Sequence, residues 1–255
     1  MNRHGDFIWY ELLTRDIDAA ATFYADVIGW TLQDSGTPGI DYRLFVAPDG
    51  QPVAGLMAMP DAMPAPTWLG YVAVDDVDAA AADFVGAGGT QHMPPTTMPG
   101  VGRMAMLTDP HHAPLYLMRG ERDAASTSFC GSENATPGHV VWNELTAPDQ
   151  AAAIAFYADR FGWRQEGGMP MGPLGEYKFL HSGDTCIGAA MGMVPGGQPG
   201  WQYYVHVTDI DAATDRITAG GGQVLQGPDE IPGGSFSVVA SDPMGTRFGL
   251  VGPRA

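Results

Sequence analysis

"WYELLTRDIDAAATFYADVIGW" (residues 9–30) returns 133 positions later as "WNELTAPDQAAAIAFYADRFGW" (residues 142–163). Each copy opens on a tryptophan followed two places on by a glutamate, Glu11 and Glu144, and then reaches an aspartate placed to cap a helix, Asp16 and Asp149. The same offset joins Tyr24 to Tyr157, Trp30 to Trp163, Asp76 to Asp209, Gly100 to Gly233, and "TDPHHAP" (108–114) to "SDPMGTR" (241–247). A constant offset over most of the chain means two copies of one domain with no net insertion between matched points. At 255 residues the chain is long enough for two domains of about 125, each with its own core. The stretch 120–138, "GERDAASTSFCGSENATPG", is small, polar and poor in periodic apolar residues, so it reads as a linker between domains at 1–119 and 139–255.

Composition narrows the function classes. Apolar residues make up 45% of the chain and charged ones 16%, which is globular and argues against extended disorder. With 29 acidic against 12 basic residues the net charge is −17, so the long-range field opposes phosphate backbones and anionic lipid surfaces. Nucleic acid and membrane are not expected as partners. No run approaches the roughly 18 apolar residues of a spanning helix, and the N-terminus lacks the apolar core of a signal peptide, so a soluble, cytoplasmic protein is expected. Cys130 and Cys186 have neither a disulfide framework nor zinc-like spacing.

Each domain is itself built twice. "FIWYELLT" reads as a strand, and Ile17, Ala20, Ala21, Tyr24, Val27 and Ile28 follow helical spacing up to Gly29. Strand-like runs follow at 42–48 and 52–59. After the Pro-rich break "PDAMPAPT" the pattern restarts with "WLGYVAV" (68–74), an Asp-capped Ala-rich helix (77–85) and further strand runs.

The motifs "FYADVIGW", "VAVDDVDAAAADFVGAGG" and the closing "TDP…LYL" resemble the vicinal oxygen chelate superfamily, which contains glyoxalase I, extradiol dioxygenases and bleomycin-resistance proteins. The "IW.EL.T" opening is most similar to a two-domain, glyoxalase-like bacterial subgroup. The resemblance covers nearly the whole chain. It implies an α+β fold of four βαβββ modules, paired into two domains with cupped mixed sheets that hold ligands inside the cup. It is specific for fold more than for chemistry, because one fold hosts several functions.

Metal-dependent members carry His or Glu ligands on the first and last strands of the modules. Counting from the capping aspartates and the "DP" turns puts those positions at Trp9, Gly55, Leu69 and Tyr116, and at Trp142, Gly188, Gln202 and Gly249. A divalent site needs several imidazole, thiolate or carboxylate donors converging at about 2.0–2.3 Å, and these residues do not supply them. The seven histidines are scattered and offer no chelating pair. Neither a family-type metal nor another cofactor is expected.

Strands alternate faces with period two, so Trp9, Glu11 and Leu13 share one wall and Ile8, Tyr10 and Leu12 the other. Extended through the repeat, this parity lines the first cup with Trp9, Glu11, Gly55, Met57, Tyr71, Ala73, Tyr116 and Met118, among others. The second receives Trp142, Glu144, Thr146, Gly188, Ala190, Gly192, Gln202, Tyr204, His206, Arg247, Gly249 and Val251. Where the first cup has Met57 and Tyr116 the second has Ala190 and Gly249, so the C-terminal cup is expected to be the more open.

The expected ligand site is therefore Trp142, Gly188, Ala190, Gln202, Tyr204, Arg247 and Gly249, with Trp9, Glu11, Tyr71 and Tyr116 at equivalent places in the first copy. The glutamates allow two readings. Each accepts hydrogen bonds from neighbouring donors as a buried carboxylate must, or Glu144 serves as a general base with His206 as its partner. The expected function is metal-independent binding of a small, partly aromatic or apolar molecule in the C-terminal cup. The alternatives are a lyase, isomerase or hydrolase of glyoxalase type using Glu144 and His206, and a metal-dependent glyoxalase or dioxygenase. The expected partner is that small molecule, and the chain is a monomer or homodimer.

Overall fold

The computed structural model describes residues 2–37, 39–61, 63–122 and 124–255. Among them the first repeat forms β1 (Phe7–Thr14), α1 (Ile17–Ile28), β2 (Thr31–Asp34), β3 (Tyr42–Val46), β4 (Pro52–Ala58), β5 (Thr67–Ala73), α2 (Val77–Gly86), β6 (Thr90–Met98), β7 (Gly102–Thr108) and β8 (Pro114–Gly120). The second forms β9 (Val140–Thr146), α3 (Gln150–Phe161), β10 (Arg164–Pro170), β11 (Glu176–Ser182), β12 (Thr185–Met191), β13 (Gly200–His206), α4 (Ile210–Ala219), β14 (Gln223–Glu230), β15 (Phe236–Ser241) and β16 (Arg247–Gly252). The βαβββ module thus occurs four times. Strand β2 escapes the sequence pattern because it is exposed along its whole length and shows no apolar alternation.

Each helix starts as its sequence dictates. Asp16, Asp76, Asp149 and Asp209 are extended N-caps whose carboxylates accept from backbone N–H groups of the first turn. Helices α1 and α3 stop at Gly29 and Gly162, both in the left-handed region, φ 87° and 68°. No helix among the described residues is long and apolar enough to cross a membrane.

Two eight-stranded mixed sheets result, ordered β2-β3-β4-β1-β5-β8-β7-β6 and β10-β11-β12-β9-β13-β16-β15-β14. Within them β1 and β4, β5 and β8, β9 and β12, and β13 and β16 run parallel, and the outer strands are antiparallel. These are the α+β cupped sheets the modules imply.

By contacts the chain forms two compact units, each drawing on both repeats. One comprises the N-terminal residues through Ile8, Leu69–Ser126 and Trp142–Trp201. Its core is fixed by the aspartate of the first "DP" turn: one Asp109 oxygen accepts from the N–H groups of His111 (2.8 Å) and Ala113 (2.7 Å), and the other from the Tyr157 hydroxyl at 2.8 Å. The Tyr157 hydroxyl in turn accepts from the Trp201 indole at 3.1 Å, and Trp163 donates to the Gly5 carbonyl at 2.7 Å.

The second unit comprises Trp9–Trp68, Thr127–Val141 and Gln202–Ala255, and it repeats the device. Asp242 caps its own turn through the N–H groups of Met244 and Thr246 and accepts from the Tyr24 hydroxyl at 3.2 Å, which accepts from Trp68 at 3.0 Å. Burial pushes both the Tyr24 hydroxyl and the Asp242 carboxyl above their ordinary ranges. Tyr24 and Tyr157 on the helices, and Trp30 and Trp163 just beyond them, are all buried in the core. Part of the stretch read as a linker packs into this unit: buried His139 contacts the Thr127 carbonyl at 2.6 Å and the Asp49 carboxylate at 3.1 Å.

Candidate functional site

Strand β9 carries the expected alternation. Val141, Asn143 and Leu145 are buried, whereas Trp142, Glu144 and Thr146 on the other face are half-buried. Within the first unit this half-buried face builds a polar relay on an aromatic wall. The Trp142 indole donates to the Tyr177 hydroxyl at 2.7 Å, and that hydroxyl donates to Glu144 Oε2, also at 2.7 Å. The Trp142 and Tyr177 rings are nearly parallel, 14° apart with centroids at 6.4 Å, and Phe179 stands edge-on to both at 5.9 and 6.2 Å. Tyr177, Ala189 and Met191 form the buried floor, with Met169, Met171 and Val194 packed around it. The result is an apolar, sulfur-rich wall carrying one carboxylate that is partly open to solvent.

The register of β12 corrects the expectation for Gly188 and Ala190. Parallel partners share a face, and here Glu144 pairs with Ala189, while Asn143 pairs with Gly188 and Leu145 with Ala190. Gly188 and Ala190 therefore point away from the cup, and Ala189 and Met191 take their places. Both strands are bulged, but at different places: β12 at Ile187, between the partners of Leu180 and His181, and β4 at Val53, between the partners of Phe45 and Val46, one repeat position earlier. Tyr177 and Phe179 had no signal of their own, because the face of β11 is set only by its pairing.

The first repeat supplies the contrast. Glu11 pairs with Gly55 and Leu13 with Met57, as the parity requires. Trp9 donates to the Tyr42 hydroxyl at 3.0 Å, and the Tyr42 ring covers Gly55 so closely that a Cβ there would meet it. Glu11 is only 4% exposed. In the second repeat the methyl of Ala189 occupies the position opposite the glutamate, which denies a phenol that place and goes with a more accessible Glu144.

In the second unit Gln202, Tyr204 and His206 share a face of β13, with Tyr204 paired to Gly249 and His206 to Val251 on β16. The missing side chain at Gly249 opens no space, because the Tyr204 ring lies where its Cβ would be. The expectation of a roomier C-terminal cup is thus not met at Gly188, Ala190 or Gly249, and the greater openness is confined to the β9 wall. Tyr71 and Tyr116, the equivalents of Tyr204 and Gly249, are stacked in the first unit at 4.2 Å and 7°. Among the described residues Gln202 Nε2 and His206 Nδ1 are buried atoms without a hydrogen-bond partner. Burial also holds His206 below its ordinary pKa, so its ring is neutral at physiological pH and free to donate or accept. Arg247 is exposed at the start of β16.

A metal of the family type does not fit. Among the described residues no group of three or more His, Cys, Asp or Glu side chains could hold an ion. The implied positions present indole, phenol, carboxamide and hydrogen, and Gly188 does not face the cup at all.

The Glyoxalase/Bleomycin resistance protein/Dioxygenase superfamily model matches residues 7–115 and 136–250. The chain belongs to that superfamily. Among its relatives a Mycobacterium bovis protein named "Putative glyoxylase CFP32" is 35% identical over 98% of this chain and 96% of its own length. "Anthracycline biosynthesis protein DnrV" of Streptomyces peucetius is 30% identical over 95% of this chain and 91% of its own. Superfamily members of known structure share the fold at low identity. The Mn(II)-bound glyoxalase of Novosphingobium aromaticivorans superposes with a TM-score of 0.68 at 18% identity, over 100% of this chain and 84% of that one. The 2,2',3-trihydroxybiphenyl 1,2-dioxygenase of Sphingomonas wittichii gives 0.67 at 15%, over 99% and 91%.

Proposed function

We propose that this superfamily member binds a small, partly aromatic molecule against the Trp142–Phe179 wall of the second repeat, without a family-type metal, and anchors it through Glu144. The observation that carries this reading is the relay from Trp142 through Tyr177 to a half-exposed carboxylate, set in a wall of methionine and aromatic carbon. Apolar lining with a few convergent polar groups suits small-molecule recognition, and thioethers adapt to flat ligands. The likeness to DnrV, named for the biosynthesis of anthracyclines, agrees with an aromatic ligand.

Alizarin, a planar hydroxyanthraquinone, is a suitable probe. Titrated in excess EDTA and followed by tryptophan fluorescence and by the rise in melting temperature, it should bind saturably. Trp142→Ala should weaken that binding by about tenfold or more, since a central aromatic anchor carries a large share of such energy. Binding that vanishes in EDTA and returns with manganese(II), or that is indifferent to Trp142→Ala, would sink the proposal.

The relay also favours a second reading, in which Glu144 removes a proton from a carbonyl substrate in glyoxalase-type chemistry. The Tyr177 hydroxyl would then orient the carboxylate. With the hemithioacetal of methylglyoxal as substrate, Glu144→Gln should lower kcat by about a hundredfold or more while the fold persists. Equal turnover by wild type and variant excludes this role.

A further inference from the structure

A cavity of about 290 Å³ lies within the first unit, away from the Trp142 wall in sequence and built from different strands. Ile8, Ala73 and Met118 give it an apolar floor, and the end of β8 with the residue pair beyond it, from Arg119 to Arg122, forms one side. Asn2 closes the remaining side: its amide donates to the Ala124 carbonyl and accepts from the Ser126 N–H, and the Ser126 hydroxyl donates to the Ile8 carbonyl. The strand end and the chain after it are thereby pinned around the opening.

The charges are unusual for this chain. It has 12 basic residues in all, and two of them, Arg119 and Arg122, line this one cavity. The carboxylate beside them, Glu121, is tied to the Gly100 N–H at 2.6 Å. Arg119 reaches Asp75 only at 3.7 Å, a loose pair between exposed groups that contributes little. Arg122 makes no ion pair or hydrogen bond among the described residues. A guanidinium with no partner among the described residues, beside the apolar floor of this hollow in a protein of net charge −17, is chemistry suited to an anion that carries hydrocarbon.

We propose that this cavity is a second ligand site, which takes a small monocarboxylate with an apolar body: the body lies on Ile8, Ala73 and Met118, and the carboxylate meets Arg122 and Arg119. The volume is near the lower end of the roughly 300–1,000 Å³ of small-molecule pockets, so the ligand is small. The site is independent of the function proposed for Trp142 and Glu144.

Benzoate is the probe and benzamide its uncharged control, titrated into full-length protein carrying carbon-13-labelled methionine methyls. Benzoate should move the Met118 methyl resonance saturably, and benzamide should bind about tenfold more weakly or worse. Arg122→Ala and Arg119→Ala should each weaken benzoate by about tenfold, while Trp142→Ala leaves it unchanged. Arg122 is exposed, so its variant should fold as wild type does. No saturable shift at Met118, equal affinity for benzoate and benzamide, or wild-type affinity in both arginine variants would each overturn the proposal. Failure of the Trp142 experiment alone would leave it standing.

Discussion

Gly188→Ala is expected to destabilise the protein by about 4 kcal/mol or more, lowering the melting temperature in a circular-dichroism scan by about 10 °C. Gly188 has φ +151°, a backbone conformation that L side chains rarely adopt. A Cβ built on it would also fall 1.8 Å from the Asn143 carbonyl oxygen of the neighbouring strand. The strand cannot yield at this point, because Asn143 is fully buried and its side chain donates to the Ile187 carbonyl at 2.7 Å. Strain and clash therefore add, and relief requires β9 and β12 to part beside Glu144. Gly162 is the control: its φ is +68°, but a Cβ there would meet nothing within 4 Å. Gly162→Asn should cost about 1 kcal/mol or less, since asparagine tolerates the left-handed region. A Gly188→Ala protein that melts within about 2 °C of wild type would show that the bulge does not hold the cup wall in place.

Asp109→Ala should cost nearly as much, about 3–5 kcal/mol by urea denaturation. The variant strands three donors at a site only 3% exposed: the N–H groups of His111 and Ala113 and the Tyr157 hydroxyl. Each buried donor left without an acceptor costs about 1–3 kcal/mol, and the turn relaxes to recover part of it. Asp109→Asn keeps one carbonyl oxygen for the turn and loses only the bond from Tyr157, so about 1–2 kcal/mol is expected. Equal losses for the two substitutions would mean that the carboxylate's charge, and not its hydrogen-bond geometry, is what the unit needs. The same aspartate–tyrosine bond recurs between Asp242 and Tyr24, so the repeated sequence carries the same clasp into each compact unit.

That clasp bears on how a site of this kind is held. The Trp142–Tyr177–Glu144 hydrogen bonds keep their geometry only where rigid packing supports the rings that make them. Helix α3 follows β9 directly, and its Tyr157 is anchored on Asp109 from the other repeat, so the scaffold behind the relay is tied down by chemistry remote from it.

The sequence by itself determined the repeat, the four modules, the helix caps and which face of β1, β5, β8, β9, β13 and β16 carries which side chain. Those features are local: a cap acts within one turn, and strand parity holds as long as pairing is regular. It also determined that imidazole and carboxylate are missing from the implied metal positions, because that is a matter of residue type alone. Only the tertiary structure decided that Ala189 and Met191, not Gly188 and Ala190, face the cup, since the phase of a period-two pattern on β12 is fixed by its register with β9. It alone brought Tyr177 and Phe179 to Trp142, laid Tyr204 over Gly249, and joined Asp109 to Tyr157 across 48 residues. Such contacts depend on which chain segments meet in space, and close packing, which fills any volume a small residue leaves, is settled only after they have met.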